Sequence, residues 1–298
     1  MTAVSGAWML GCKTSKSRSQ QSAAGPGSGT TPRLGGTFNT YITQNLAGLD
    51  PQVSSAASQA LLTSSVISNL FRFKTGTDPT AYLNWDPEND LASGIESPDG
   101  QTWTIKLRPN ARFHDVPPVN GHPVEAEDIK ATFVRAFSLT ANQNRGIIGA
   151  IDPAQIETPA PDTVVFKLRY AYGPFHSMLS GSGSEILPRE AQTGAYDPAK
   201  VAIGSGPFAM QTYTPDVELV LKKNQAWVES GRPYIDVLHA SIFPEAAQQL
   251  ALFTAGHLDD YRPAPTDLVT AKQQNPKAAV YKAATNTPYV FFGHMNHP

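Results

Sequence analysis

Alternating apolar and polar positions predict several strands along the chain. Between Thr102 and Leu107, the side chains of Trp103, Ile105 and Leu107 fall on one face, as in a half-buried strand. The same alternation predicts strands over residues 36–42, 163–170 and 234–243, and a hairpin over 207–222 that turns at Pro215 and Asp216. The segment 288–296, PYVFFGHMN, predicts one more apolar strand.

Apolar residues at intervals of three and four predict four helices between these strands. One covers residues 54–71, where Leu62, Val66 and Leu70 share a face. A second covers 126–139, with its stripe at Ile129, Phe133 and Phe137. The others cover 245–255, ended by Gly256, and a short stretch from Thr266 to before Pro276. The pattern is mixed α/β without a regular βαβα alternation.

Size and charge narrow the functional classes. The chain has 298 residues, 40% of them hydrophobic, which is enough for a substantial core and predicts two domains. A net charge of -2 and a pI near 6.4 give no reason to expect a nucleic acid as partner. The sequence contains no run of about 18 apolar residues of the kind that predicts a membrane span.

The one cysteine, Cys12, lies in AWMLGC, directly before a polar linker over residues 13–36. This order of an apolar stretch, a small residue, a cysteine and a polar linker resembles the lipobox of bacterial lipoproteins, in which the cysteine is acylated. Residues 1–11, however, contain no Lys or Arg, and their apolar stretch is short for a signal peptide. Either the true start lies upstream of Met1, which we favour, or the similarity is accidental. Residues 1–49 have four basic and no acidic side chains, which suits a tether near an anionic membrane.

No pattern predicts catalysis, a cofactor or a metal site. His294 and His297 are three apart but stand at a chain end with Pro298, and His114 is followed directly by Asp115. No H-E-x-x-H, C-x-x-C or nucleophile-elbow motif occurs. We therefore interpret the histidines as surface or capping residues. The glycine-serine segments 180–185 and 204–208 are interpreted as turns, because neither has a lysine placed for a phosphate.

Four segments in order resemble the bacterial extracytoplasmic solute-binding proteins of family 5, which serve peptide, dipeptide and nickel ABC transporters. They are residues 99–137, 203–227, 232–238 and 251–261. The resemblance covers about residues 34–298. It implies an α/β fold of the periplasmic binding protein-like II class (type II, cluster C), incomplete, with an accessory mixed α/β domain. Glu125 stands where the family usually offers Thr or Ser as a helix cap, which predicts a helix start weaker by about 1 kcal/mol at most.

The resemblance also implies a division of the chain. Residues 1–35 would be the lipobox-like start and a disordered linker, 36–75 and 186–286 the two parts of lobe I, and 76–185 the accessory domain. Residues 287–298 would begin the crossover to a lobe III that the 298 residues do not include. Since the family encloses ligands between lobes I and III, we expect the isolated chain to bind weakly or not at all, and to be poorly soluble or to self-associate through an exposed apolar face.

The implied function is capture of a peptide or another small solute and its delivery to the permease subunits of an ABC transporter. The protein would be extracytoplasmic, in the periplasm or at the cell surface, and anchored to the membrane through a lipid on Cys12. Gln44, Asn45 and Gly48, in the loop after the first strand, are the predicted ligand contacts, since no Cβ at Gly48 would hinder a peptide. An ordinary glycine turn explains Gly48 equally well. A peptide-sensing module and a secreted hydrolase are the alternatives, although no nucleophile-base pair supports the hydrolase.

Overall fold

The computed structural model describes residues 32–54, 56–74 and 86–280. The strands there are β1 Thr37–Ile42, β2 Phe71–Phe73, β3 Pro87–Asn89, β4 Ala92–Glu96, β5 Thr102–Leu107, β6 Ile156–Ala160, β7 Thr163–Lys167, β8 Phe208–Thr214, β9 Glu218–Lys223 and β10 Val237–Ile242. The α-helices are α1 Ala60–Val66, α2 Ala126–Ser138, α3 Phe175–Met178, α4 Glu190–Thr193, α5 Ala246–Thr254 and α6 Leu268–Gln274. Short 3-10 turns occupy Ala57–Gln59 and Pro153–Gln155. Within these ranges no helix is both long enough and apolar enough to cross a bilayer.

The first sheet has the order β1-β10-β9-β8. Strands β1 and β10 are parallel and pair from Thr37 with Val237 to Ile42 with Ile242, whereas the other pairs are antiparallel. The predicted hairpin is confirmed. It turns through Asp216, whose φ of 63° lies in the left-handed region that Asp adopts more readily than most residues.

The second sheet is antiparallel, with the order β4-β5-β7-β6, and α2 packs on it. The predicted face of β5 is confirmed for Ile105 and Leu107, which are buried, while Trp103 is half-buried and lies 5.4 Å from the Phe175 ring. These two four-stranded sheets use separate parts of the chain, since the first contains β1 and β8 to β10 and the second contains β4 to β7. The domain boundaries near residues 75 and 185 remain a prediction.

The predicted helix over residues 54–71 is too long. The α-helix ends at Val66, and Phe71–Phe73 forms a strand that pairs with β3. Leu62, Val66 and Leu70 are all buried, so the apolar positions were identified correctly. The helix ends early because the loop at Gly204–Gly206 packs against it, and the Gly206 N–H donates to the Val66 carbonyl at 2.9 Å.

Glu125 is the N-cap residue of α2, and Asp128 in the first turn of the helix stabilises this start. The Asp128 carboxylate accepts the backbone N–H of Glu125 at 2.9 Å, which satisfies a donor at the helix start. The Glu125 carboxylate binds Arg189 at 2.7 Å, and Arg189 also binds Asp128. The Asp128 carboxylate thus caps the helix start, where the sequence pattern indicates only a poor cap at Glu125.

His114 is buried, which corrects its interpretation as a surface or capping residue. Its side chain is 2% exposed and lies against the loop of Gly204 and Gly206. The Gly204 N–H donates to Nδ1 at 3.3 Å, and Nε2–H donates to the Gly206 carbonyl at 3.1 Å. The imidazole is therefore a neutral Nε2–H tautomer that joins the turn after β5 to the segment leading into β8. Burial lowers the pKa of His114 to about 4.

We expect this histidine to make the protein less stable in acid. Since the unfolded chain binds a proton on His114 below about pH 6.5 and the folded chain does not until about pH 4, the stabilisation is present above pH 6.5 and falls between these values. The loss should be on the order of 3 kcal/mol. Buried Glu185 and Asp90, whose pKa values are raised to about 7 and about 6, act in the opposite direction.

Urea unfolding of the wild type and of His114→Gln at pH 7.5, 5.5 and 4.5 isolates the effect of His114. The difference in unfolding free energy between the two proteins should shrink as the pH falls, because glutamine does not titrate. A difference that stays constant over this range would show that His114 takes up its proton equally well in the folded chain.

Candidate functional site

The predicted contact residues lie in the loop that follows β1. This loop starts where β1 and β10 end side by side, and the Phe243 N–H donates to the Ile42 carbonyl at 2.9 Å as the last bond between them. Ligands of α/β proteins commonly bind outside the carboxyl ends of parallel strands. The sheet therefore places residues 43–48 at an edge suited to binding.

The side chain of Asn45 is already engaged by the β8–β9 turn. Its Nδ2 donates to Asp216 Oδ1 at 2.7 Å, and the Asp216 backbone N–H donates to Asn45 Oδ1 at 2.7 Å. The hydroxyl of Tyr213, on the same hairpin, accepts the Leu46 N–H at 3.0 Å. Asn45 thus fixes the loop on the hairpin, and its contact with a ligand remains a prediction.

Gln44 and Thr43 are exposed and project from this fixed loop. Among the described residues, the backbone N–H groups of Thr43, Gln44 and Asn45 have no hydrogen-bond partner, and neither do the carbonyls of Thr43 and Gln44. An exposed row of unpaired backbone groups beside a sheet can pair with an extended peptide. This part of the loop is therefore open to a main-chain ligand.

Gly48, later in the same loop, is held in place by the side chain of Gln59. Its carbonyl accepts a hydrogen bond from Gln59 Nε2 at 2.6 Å. A Cβ at this position would meet only that same nitrogen, at 3.9 Å, among the described atoms. The absence of a side chain is thus not demanded by packing within the chain, and a role for Gly48 in ligand contact remains a prediction.

A buried ion pair anchors the far end of the loop to α2. Asp50 Oδ2 lies 2.5 Å from Arg135 Nη2, and the two side chains are 5% and 11% exposed. Gln52 Oε1 accepts from Arg135 Nη1 at 2.5 Å, and Gln52 Nε2 donates to the Thr132 carbonyl at 2.9 Å. Burial raises the pKa of the nearby Tyr196 above its usual range. The loop therefore has fixed ends and an exposed middle.

Sequence reasoning did not identify the segment that borders β1 on its free side. Asp259 Oδ2 accepts the Asn39 N–H at 2.7 Å, and the Asp259 N–H donates to the Asn39 carbonyl at 2.8 Å. The Arg262 guanidinium lies 4.5 Å from the Tyr41 ring centre and donates to the Tyr41 carbonyl at 2.5 Å. The motif ALFTAGHLDDY did indicate this region, but its spacing alone did not show that it pairs with β1.

Two cavities of the described chain lie elsewhere. A small one, of about 100 Å³, is lined by residues of β1, β10 and α5 such as Asn39, His239 and Leu252. A shallow apolar groove runs between α5 and α6 past Ala247, Leu250 and Ala251. Neither includes Gln44, Asn45 or Gly48. Cys12, His294 and His297 lie outside the described residues.

A scan against protein-family models matches residues 86–298 to the bacterial extracellular solute-binding proteins, family 5 Middle. The chain belongs to this family. This family 5 chain is 28% identical over 260 residues to the probable D,D-dipeptide-binding periplasmic protein DdpA of Escherichia coli, covering 84% of this chain and 48% of that protein. It is 25% identical over 296 residues to the oligopeptide-binding protein AppA of Bacillus subtilis, covering 96% of this chain and 50% of AppA.

Solved structures agree on the fold of this family 5 chain. The periplasmic binding protein DppA of Helicobacter pylori, in complex with the peptide STSA, superposes with a TM-score of 0.71 at 22% identity over 81% of this chain and 49% of DppA. AppA of B. subtilis in complex with a nonapeptide gives 0.70 at 22% identity over 82% and 47%. The fold is the α/β fold of type II periplasmic binding proteins. The chain spans about half the length of the curated relatives it matches.

Proposed function

We propose that this chain is the solute-binding part of an ABC transporter and that it captures peptides between lobes for delivery to the permease. The unpaired backbone N–H groups of Thr43, Gln44 and Asn45, beside the ends of β1 and β10, support the proposal most directly. A peptide in extended form offers matching N–H and carbonyl groups whatever its side chains. The relatives named for peptide binding are consistent with this ligand class.

The fixed ends of the loop favour binding over catalysis. Asn45 with Asp216, and Asp50 with Arg135, hold the backbone between them in place before a ligand arrives. Preorganised groups lose less conformational entropy on binding, so the same hydrogen bonds yield a higher affinity. The relatives are described as binding proteins, and we propose no catalytic residue for this chain.

The proposal includes an extracytoplasmic location and a lipid anchor on Cys12. The cysteine follows a short apolar stretch and precedes a basic linker, which suits a tether beside an anionic membrane. Two signals, an acyl chain and nearby basic residues, give firmer membrane binding than either alone. Incorporation of labelled fatty acid that depends on Cys12 tests this part.

Removing one backbone N–H should weaken peptide binding, whereas removing the neighbouring side chain should not. Gln44→Pro deletes the N–H of residue 44, and a lost hydrogen bond of about 1.4 kcal/mol corresponds to about tenfold in affinity. Gln44→Ala keeps the N–H and should bind within about twofold of the wild type. Titration of tetra-alanine measures both, followed by the backbone amide NMR signals of residues 43 to 45 in the wild type and Gln44→Ala, and by those of residues 43 and 45 in Gln44→Pro.

Thermal unfolding of both variants checks that the loop change leaves the fold intact. If tetra-alanine binds without moving these three amide signals, or if Gln44→Pro and Gln44→Ala bind equally well, the proposed contact is wrong. Absence of any binding to the wild-type chain at about millimolar tetra-alanine would show that the 298 residues alone do not form this contact.

A further inference from the structure

Three potential metal ligands from distant parts of the chain meet beside the start of α2. The side-chain donor atoms of His122, Asp128 and Glu190 all lie within 4.8 Å of one another. His122 precedes α2, Asp128 is in its first turn, and Glu190 begins α4. Sequence spacing predicts no such site, since 68 positions separate His122 from Glu190. The cluster includes none of the residues of the loop proposed to bind peptides.

The hydrogen bonds of His122 leave its Nε2 facing a carboxylate. Nδ1 lies 2.8 Å from the Pro123 carbonyl oxygen, so this nitrogen carries the proton that it donates there. The ring is also held at its side by Phe113, with the ring centres 5.1 Å apart. In the neutral ring the lone pair of Nε2 then points towards Glu190 Oε2 at 3.2 Å. Two acceptors at this distance need a proton or a metal ion to join them.

The distance between these atoms suits a shared metal ion. Zinc binds histidine nitrogen and carboxylate oxygen at about 2.0–2.1 Å, and tetrahedral angles then place two ligand atoms about 3.3 Å apart. The observed 3.2 Å between Nε2 and Oε2 is close to this value. A histidine that ligates metal through one nitrogen commonly donates its other N–H to a carbonyl, as His122 does to Pro123.

Asp128 is oriented by the backbone around it and keeps capacity for one more partner. Its Oδ1 accepts the N–H and the Nε–H of Arg189 at 3.1 and 3.0 Å, and its Oδ2 accepts only the Glu125 N–H at 2.9 Å. Each carboxylate oxygen can accept two bonds, so Oδ2 has one lone pair left. Asp128 itself is 0% exposed, which fixes its position.

The charges around the cluster favour a divalent cation. The Arg189 guanidinium binds the carboxylates of Glu125 and Asp128, and the Glu190 carboxylate lies within 4.8 Å of the donor atom of Asp128. With His122 neutral, three negative groups and one positive group leave a net charge of -2. A divalent ion would neutralise this charge, and the nitrogen ligand favours zinc over magnesium or calcium, which prefer oxygen alone.

We propose that His122, Asp128 and Glu190 form a zinc-binding site, with water completing a four-coordinate ion. This site shares no residue with the loop proposed to bind peptides and would join the start of α2 to the start of α4. Its occupation would stabilise the fold, because the ion binds an arrangement that the unfolded chain lacks.

Untagged, metal-stripped wild-type chain is titrated with zinc chloride by calorimetry at pH 7.5, and thermal unfolding is recorded with zinc and with magnesium. We expect one zinc ion to bind, a rise in the unfolding temperature with zinc and none with magnesium. His122→Gln and Glu190→Gln should each weaken the zinc affinity by about 100-fold or more, since each removes one of three ligands.

The matched control is His239→Gln. His239 also faces a carboxylate, with Nε2 at 2.7 Å from Glu218 Oε2, but no third ligand in the described chain stands beside that pair. This variant should bind zinc as the wild type does. Since His294 and His297 are present in every variant, the decisive quantity is the difference in zinc affinity between each variant and the wild type.

Two results would overturn the proposal. One is equal zinc affinity in the wild type, His122→Gln and Glu190→Gln. The other is no zinc binding by the wild type up to about 1 mM, and histidine NMR should then show Nε2 of His122 protonated. The second result would make the cluster an ion pair of imidazolium and carboxylate. If His122→Gln fails to fold, Glu190→Gln alone carries the comparison.

Discussion

Replacing Arg135 with alanine should lower the free energy of unfolding by about 3–5 kcal/mol, because the carboxylate of Asp50 would stay buried without its cation. Arg135 contacts both oxygens of Asp50, at 2.5 and 3.3 Å, and also the side-chain oxygen of Gln52. The variant also frees the far end of the binding loop from α2. We therefore expect weaker peptide binding along with the lower stability.

The double variant Asp50→Asn with Arg135→Gln removes both charges and should be more stable than Arg135→Ala alone, since no unpaired charge remains buried. Lys200→Ala is the matched control, because Lys200 and Asp197 form an exposed pair 3.8 Å apart. Exposed pairs of this kind contribute about 0.2–1 kcal/mol. Urea unfolding measures all three, and a loss for Arg135→Ala as small as that for Lys200→Ala would show that the buried pair does not anchor the loop.

The second large effect is expected at Gly204, where alanine should cost more than about 3 kcal/mol or prevent folding. A Cβ on Gly204 would lie 2.8 Å from Ile67 Cα and still closer to the Val66 carbonyl oxygen. Both are backbone atoms at the end of α1, so neither can rotate away. The substitution also disturbs the hydrogen bonds of this loop with His114.

Gly206→Ala should act in the same direction, with its Cβ 2.7 Å from the Ser65 carbonyl oxygen. Gly146→Ala is the matched control, since its Cβ would meet no described atom within 4 Å. Urea midpoints and soluble yield are compared for the three variants. If Gly204→Ala were as stable as Gly146→Ala, the close approach of the two backbones would not exist in solution.

The local pattern predicts elements well where both partners are near in sequence. The alternation through Trp103, Ile105 and Leu107 yields β5, and the Pro215-Asp216 turn yields the β8–β9 hairpin. Helix α1 is predicted too long because its end is set by Gly204 and Gly206, which lie far along the chain. A tertiary contact of this type overrides helical periodicity and leaves no local signal.

In the candidate site, too, the sequence predicts local features but not the contacts between residues that are distant in the chain. The position of Gln44 after the first strand is readable from the sequence, together with the resemblance to the family. The partners that fix the loop are not, since Asp50 and Arg135 stand 85 positions apart and Asn45 and Asp216 stand 171 apart. The burial of His114 was missed for this reason too. Its partners, Gly204 and Gly206, appear in the sequence as an ordinary turn.

The parallel pairing of β1 with β10 sets an order for folding during synthesis. Thr37 pairs with Val237, so 200 more residues must be made before β1 meets its neighbour in the sheet. At about 5–20 residues per second, the ribosome needs roughly 10–40 s for this stretch. The strands β4 to β7, which end at Lys167, have all emerged well before then. Among the described strands, the first one made is thus the last to be paired, and a chaperone that binds unpaired strands has that interval in which to hold it.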